Sequence, residues 1–260
     1  MTTVPVAGIH VKRYQDAASC AAAARNYRWL ASLGVIGVPR LLAAESRQLV
    51  FERVEGRHAR PADLAALAGH LGDIHGAAYA TELRHAWMGG PHRTRCGHLI
   101  PGFLDRRLAA VFRELRSGRA AGAAFTEAQA EDLLSRSLHS PVAFCKDANP
   151  RNFLITPQGP VTAGFDDLTL APSGYDLAKL VATMAMAYGA IPARRISAAV
   201  DACNSAAARH LPGTGVVTCA QVMAWAEIHH ILTSRYLGRG GYRHNWASVR
   251  PASPWAERCM

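Results

Sequence analysis

Residues 144–180 read FCKDANPRNFLITPQGPVTAGFDDLTLAPSGYDLAKL. The apolar run ending at Phe144 and the run Phe153–Ile155 are short and bounded by polar or turn residues, which predicts two strands with a loop between them. Pro157-Gln-Gly159 predicts a turn, Val161–Ala163 a further strand, and the acidic pair Asp166-Asp167 a turn leading to a helix near 173. The loop between the first two strands carries Asp147 and Asn152, five positions apart. Phosphoryl transfer asks a protein for a carboxylate to orient or deprotonate the attacking hydroxyl. It also asks for an amide oxygen plus a carboxylate to hold Mg²⁺ against the phosphates. Rigid strands flanking such a loop suit a chemistry that depends on position and electrostatics.

Working outward from this loop, residues 8–14 predict a short strand around Val11 and Tyr14. Residues 16–33 predict an Ala-rich helix with Tyr27, Leu30 and Leu33 at helical spacing, stopped by Gly34. Pro39 opens PRLLAAES, followed by QLVFERVEG, a pair of short strands ending at a hinge glycine, Gly56. From Pro61 the pattern turns helical, with Leu64, Leu67, Leu71 and Ile74 as one apolar stripe. Residues 79–100, rich in His, Arg and Gly, predict a surface loop. Helices follow over 102–117 and 127–138, the second with Thr126 as N-cap and Gln129 placed for a capping box. Beyond the loop, helices are expected near 173–188, 192–210 and 218–237. The tail from Gly238 has no periodicity and predicts loose packing.

In order and spacing these features resemble the aminoglycoside phosphotransferase and choline kinase superfamily, whose loop reads H-G-D-x-x-x-x-N and is followed by a metal-binding Asp and a later D-L-A. The resemblance spans roughly residues 10–240. It implies an α+β, protein kinase-like two-lobe fold. Residues 1–56 would form a reduced N-terminal nucleotide-binding lobe, and 57–260 a helical C-terminal lobe with the catalytic loop 145–152 and the acceptor site. It implies Asp147 as catalytic base, Lys12, Glu52 and Val54 as nucleotide contacts, ATP (or GTP) and Mg²⁺ as cofactors, and a small hydroxylated molecule as acceptor. Tyr175-Asp176-Leu177-Ala178 matches the motif that opens the helix after the loop, where Asp176 reads as a cap and loop brace. His75, His229 and His230 read as packing residues within helices.

The chain also departs from the pattern. Twelve positions before Asp176, where the metal-binding Asp is expected, stands Gly164, followed by Phe165. Asp166, two positions on and so on the same side of an extended segment, is the expected substitute beside Asn152 as metal ligand, with Asp167 as the weaker candidate. Cys145 takes the place of the loop's usual His. Asn26 falls where a Glu usually pairs with the nucleotide lysine, which leaves Lys12 less firmly oriented. Only eleven residues precede Lys12, and no Gly-rich loop is visible. These departures keep a second possibility open, a pseudokinase-like binding protein of the same fold.

Composition narrows the field. The 260 residues carry a formal charge of +10, which suits an anionic ligand. Only Lys12, Lys146 and Lys179 are lysines among 29 basic residues. The arginines are dispersed rather than gathered in a stripe, so a nucleic-acid partner is not expected. The six cysteines include no C-x-x-C pair, and His92, Cys96 and His98 fit no common zinc spacing, so neither a disulfide framework nor a zinc site is expected. No apolar run is long enough to span a membrane, and the N-terminus lacks a signal-like pattern. A cytoplasmic location is therefore expected.

Overall fold

The computed structural model describes residues 8–212 and 216–251. The expectations for the extreme N-terminus and for the last residues of the tail fall outside the described residues. The chain opens with strand β1 (Ile9–Arg13), helix α1 (Ala17–Ser32) and strands β2 (Leu41–Ala44) and β3 (Gln48–Glu52). The three strands form an antiparallel sheet in the order β1-β3-β2, with Lys12 opposite Leu49. Alternation explains its one-sidedness: Leu49 and Phe51 of β3 are buried against α1, whose Tyr27 ring lies 4.6 Å from Phe51. Asp16 caps α1 by accepting from Ser19 N at 2.7 Å.

After Glu52 the chain leaves this sheet. Val54 makes no hydrogen bond to any described residue. Gly56 runs so close to the next sheet that an added Cβ would lie 2.9 Å from Ile155 O. Strand β4 (Arg57–His58) then joins the helical part of the molecule. A 3₁₀ turn at Pro61–Asp63 leads into helix α2 (Leu64–Thr81), where Leu64, Leu67, Leu71 and Ile74 are all buried as the stripe predicts.

The expected loop over 79–100 is shorter than the sequence suggests. α2 runs on to Thr81, and a small hairpin, β5 (His92–Arg93) with β6 (Leu99–Ile100), turns at Gly97 with φ +80°. A two-residue strand is too short to show periodicity, which is why the pattern hid it. Helices α3 (Leu104–Arg116) and α4 (Glu127–Arg136) follow, the latter with the Thr126–Gln129 capping box in place.

Strand β7 (Val142–Cys145) pairs with β10 (Thr169–Pro172), and β8 (Phe153–Thr156) pairs with both β4 and β9 (Gly159–Thr162). Helices α5 (Tyr175–Tyr188), α6 (Ala193–Ala208) and α7 (Cys219–Thr233) complete the core. The tail departs from the expectation of loose packing: residues 238–241 are exposed, but Tyr242 and Trp246 are buried. The segment includes a short helix, α8 (Trp246–Val249), whose Trp246 is fully buried and donates its indole N–H to Glu227 at 2.8 Å. Two isolated aromatics, Tyr242 and Trp246, anchor that segment, so no repeat betrays it. Among the described residues no helix is long and apolar enough to cross a membrane.

α2 and α6 approach through small residues. An added Cβ at Gly72 would stand 2.1 Å from Cys203 O, and at Gly76 2.8 Å from Ala207 O. Helix propensity alone gives Gly→Ala a gain of roughly 0.5–1 kcal/mol. Overpacking against the backbone reverses the sign. Gly72→Ala is expected to destabilise the protein by about 1–3 kcal/mol in denaturant titration.

Candidate active site

The loop between β7 and β8 turns tightly on its own backbone. Ala148 N donates to Lys146 O (3.0 Å), Asn149 N to Asp147 O (2.7 Å) and Asn152 N to Asn149 O (2.8 Å). One face of α5 then grips successive loop residues. Asp176, fully buried in its first turn, accepts from Lys146 N at 3.0 Å and from Cys145 Sγ at 3.2 Å. Lys179 places its ammonium 2.8 Å from Asp147 Oδ1. Thr183 Oγ1 lies 3.3 Å from Ala148 O. Positions 176, 179 and 183 share one helix face, so a rigid element sets the loop's register.

Asp147 points outward with an exposed side chain. Asn152 donates its amide to Asp147 O (2.6 Å) and to Oδ2 (3.3 Å), leaving the Asn152 carbonyl oxygen unengaged. Partial burial opposes ionisation of Asp147, but the Lys179 ammonium and the Asn152 amide outweigh it and hold its carboxyl below the usual range. The group is a carboxylate at neutral pH, as a proton acceptor must be. Asp176 differs: burial pushes its carboxyl up to about 6, against the opposing Lys146 N–H. It is a structural brace with no route to solvent. His75, edge-to-face with Phe144 and 3.8 Å from Asp176, is held neutral by burial.

The segment 163–166 is clamped from three sides. Lys146 is buried and donates to Ala163 O at 2.6 Å, its ammonium 4.8 and 4.7 Å from the Phe153 and Phe165 ring centres. Burial lowers its pKa to about 7. Tyr27 Oη accepts from Gly164 N (3.1 Å) and Phe165 N (3.4 Å), while Asn26 donates to Phe165 O (2.8 Å) and Asp166 O (3.0 Å).

This geometry corrects one expectation. Lys12 is firmly oriented although Asn26 replaces the usual Glu, because Asp166 forms an ion pair with it. Tyr14 Oη donates to the other Asp166 oxygen at 2.7 Å. Burial, with the adjoining carboxylate, raises the Tyr14 phenol, so it remains a donor. The lysine's counter-charge has moved from helix α1 to the turn after Gly164, and Asn26 fixes that turn's backbone instead.

The same geometry tests the metal expectation. Both Asp166 oxygens are engaged by Lys12 and Tyr14, Gly164 offers no ligand, the exposed Asp167 is paired with Arg106 at 3.3 Å, and the Asn152 oxygen is free. Mg²⁺ is usually held by one or two carboxylates with substrate phosphates completing an octahedron. Among the described residues no cluster of three or more His, Cys, Asp or Glu is placed to hold a metal. As arranged, the residues do not fit a resident Mg²⁺, and Asp166 sits with Lys12 rather than with Asn152. Gly164 has φ +84°, a left-handed conformation, and an added Cβ would lie 3.0–3.3 Å from the Asn152 amide group. The missing carboxylate therefore belongs directly against Asn152.

Beside Asp147 opens a cavity of about 440 Å³ between α3, the loop and α7. Its wall includes Arg107, Arg151, Lys179 and Tyr242. Tyr242 comes from the tail and accepts from Asn149 Nδ2 at 2.6 Å. Lys179, Tyr14, Tyr27 and the cavity arginines were not singled out in the sequence. One signal for Lys179 was present. In a chain that uses arginine almost everywhere, all three lysines lie at this site, Lys12 on Asp166, Lys146 on Ala163 O and Lys179 on Asp147.

The model of the phosphotransferase enzyme family matches residues 9–212. Among curated proteins none matches the chain. Solved structures share the fold at low identity. A Plasmodium vivax ethanolamine kinase is 13% identical with a TM-score of 0.57, covering 92% of this chain and 72% of its own. Amicoumacin kinase in complex with AMP-PNP, Ca²⁺ and Ami is 12% identical with a TM-score of 0.55, covering 86% and 72%. An aminoglycoside phosphotransferase from Streptomyces rimosus, solved with ADP and streptomycin, is 14% identical with a TM-score of 0.51, covering 86% of each chain. The fold is thus protein kinase-like and two-lobed, and with four-fifths of its length inside the family match the chain belongs to the phosphotransferase enzyme family.

Proposed function

We propose that the protein transfers the γ-phosphoryl group of ATP or GTP to a hydroxyl of a small molecule bound in the cavity beside Asp147. The observation that carries this reading is Asp147 itself: an ionised, outward-facing carboxylate, fixed by Lys179 and Asn152 at the mouth of that cavity. In the reaction the acceptor oxygen forms a bond to the γ-phosphorus and the β,γ-bridging P–O bond breaks. The nucleoside diphosphate leaves with that bond's electron pair, and the hydroxyl proton passes to Asp147. Lys12 meets the nucleotide phosphates, exchanging Asp166 for them as counter-charge. Glu52 and Val54 border the nucleobase, where Val54 has backbone groups free to bond it.

A second reading, nucleotide binding without transfer, draws on Gly164 and on the Lys12–Asp166 pair. One substitution separates them. If the protein is a transferase, Asp147→Asn lowers nucleoside diphosphate release with a competent acceptor about 10²–10⁴-fold, with an unchanged thermal midpoint. Equal release by both proteins contradicts it.

Gly164→Asp restores a carboxylate beside Asn152 in a backbone conformation that Asp tolerates better than most residues. It is expected to cost about 1–2 kcal/mol of stability and to tighten Mn²⁺ binding measured by electron paramagnetic resonance. No gain in Mn²⁺ affinity would contradict the placement of the missing ligand.

A further inference from the structure

The cavity beside Asp147 has an uneven charge balance. Its acidic side chains are Asp147, Glu114 and Asp167, and each already has a cation. Asp147 is paired with Lys179 at 2.8 Å. Glu114, nearly fully buried, is held by Arg113 at 3.3 Å, Arg119 at 3.2 Å and Arg235 at 3.8 Å. Asp167 is paired with Arg106 at 3.3 Å. No carboxylate on the wall is left to receive an ammonium group from a ligand.

The cations are not balanced in return. Arg107 is half-buried, donates to Thr169 Oγ1 at 2.8 Å, and lies 5.8 and 5.7 Å from the Phe103 and Tyr175 ring centres. Arg151 is steadied from one side, its Nε donating to Asn149 Oδ1 at 3.2 Å. Neither forms an ion pair with a described carboxylate. A guanidinium withdrawn from water and fixed by stacking, without an anion, is an incomplete site: its planar fork matches a carboxylate or phosphate in two-point geometry. Net charge on the whole chain would not place such groups here, but α3 and the loop deliver one each into the same cavity.

We infer that the acceptor is a hydroxylated anion, a carboxylate or phosphate ester, whose charged group is held by Arg107 and Arg151 while its hydroxyl faces Asp147. This rests on the transferase reading for the hydroxyl's role, but the anion site itself stands on the arginines. A cationic amino alcohol or aminoglycoside meets the opposite field.

The test is calorimetric titration of the full chain, without nucleotide, using glycerol 3-phosphate and choline as probes. Wild type is expected to bind glycerol 3-phosphate at least about tenfold more tightly than choline. Arg107→Met and Arg151→Met are each expected to weaken glycerol 3-phosphate binding by about tenfold or more, the scale of one charge-assisted contact. Arg151 is exposed, so its variant keeps the test valid if Arg107→Met fails to fold. Choline binding equal to or tighter than that of the anion overturns the inference. So does wild-type affinity in the folded arginine variants, which would put the anion at Lys12, and so does the absence of measurable anion binding. If arginine-dependent binding is found but no acceptor is phosphorylated, it is the transferase reading that fails, and the anion site survives.

Discussion

The site depends on one buried carboxylate. Asp176 has no exposure and spends its oxygens on the backbone N–H of Lys146 and the thiol of Cys145. A buried acceptor of this kind is costly unless its bonds are made, so the loop cannot drift from the helix without exposing that cost. Its place in the first turn of α5 adds the favourable end of the helix dipole. One turn later the same face supplies Lys179, which gives Asp147 its charge partner. A single rigid helix therefore sets both where the loop lies and what ionisation state its outward carboxylate holds.

The sheet side of the site is tied to the same loop through the turn after Gly164. Asn26 and Tyr27 hold its backbone from α1, Lys146 holds it from beneath, and Asp166 reaches across to Lys12. Losing a carboxylate at 164 has not left the region loose. The neighbouring carboxylate has instead become a bridge between the small sheet and the helical part of the molecule. The exchange of that bridge for nucleotide phosphates is the event that would couple nucleotide arrival to the position of the turn.

Much of this was legible in the sequence because its signals are local. The Asp147–Asn152 spacing, the Tyr175-Asp176-Leu177-Ala178 helix start and the Leu64–Ile74 stripe are each contained in one element, and the structure places those elements in the expected order. The partnerships were not legible. Asp166 meets Lys12 across 154 positions and Tyr242 meets Asn149 across 93, and no periodicity encodes which side chain closes such a distance. Asp166 illustrates the limit: two-residue alternation assumes an extended segment, but Gly164 is left-handed (φ +84°) and the turn delivers Asp166 to Lys12 and Tyr14 instead of to Asn152. The anchored tail was missed for the same reason, since it is held by the isolated aromatics Tyr242 and Trp246 and their distant partners.

The proposed base, an ionised carboxylate fixed by α5, borders a cavity whose uncompensated charge is positive. The most direct test is to incubate the protein with ATP carrying ¹⁸O in the γ-phosphoryl group and a small-molecule extract, then find the labelled product by mass spectrometry. Label transferred to an anionic hydroxylated compound, and lost with Asp147→Ala, is the expected result. Label appearing only in inorganic phosphate, or transferred equally well without Asp147, would contradict it.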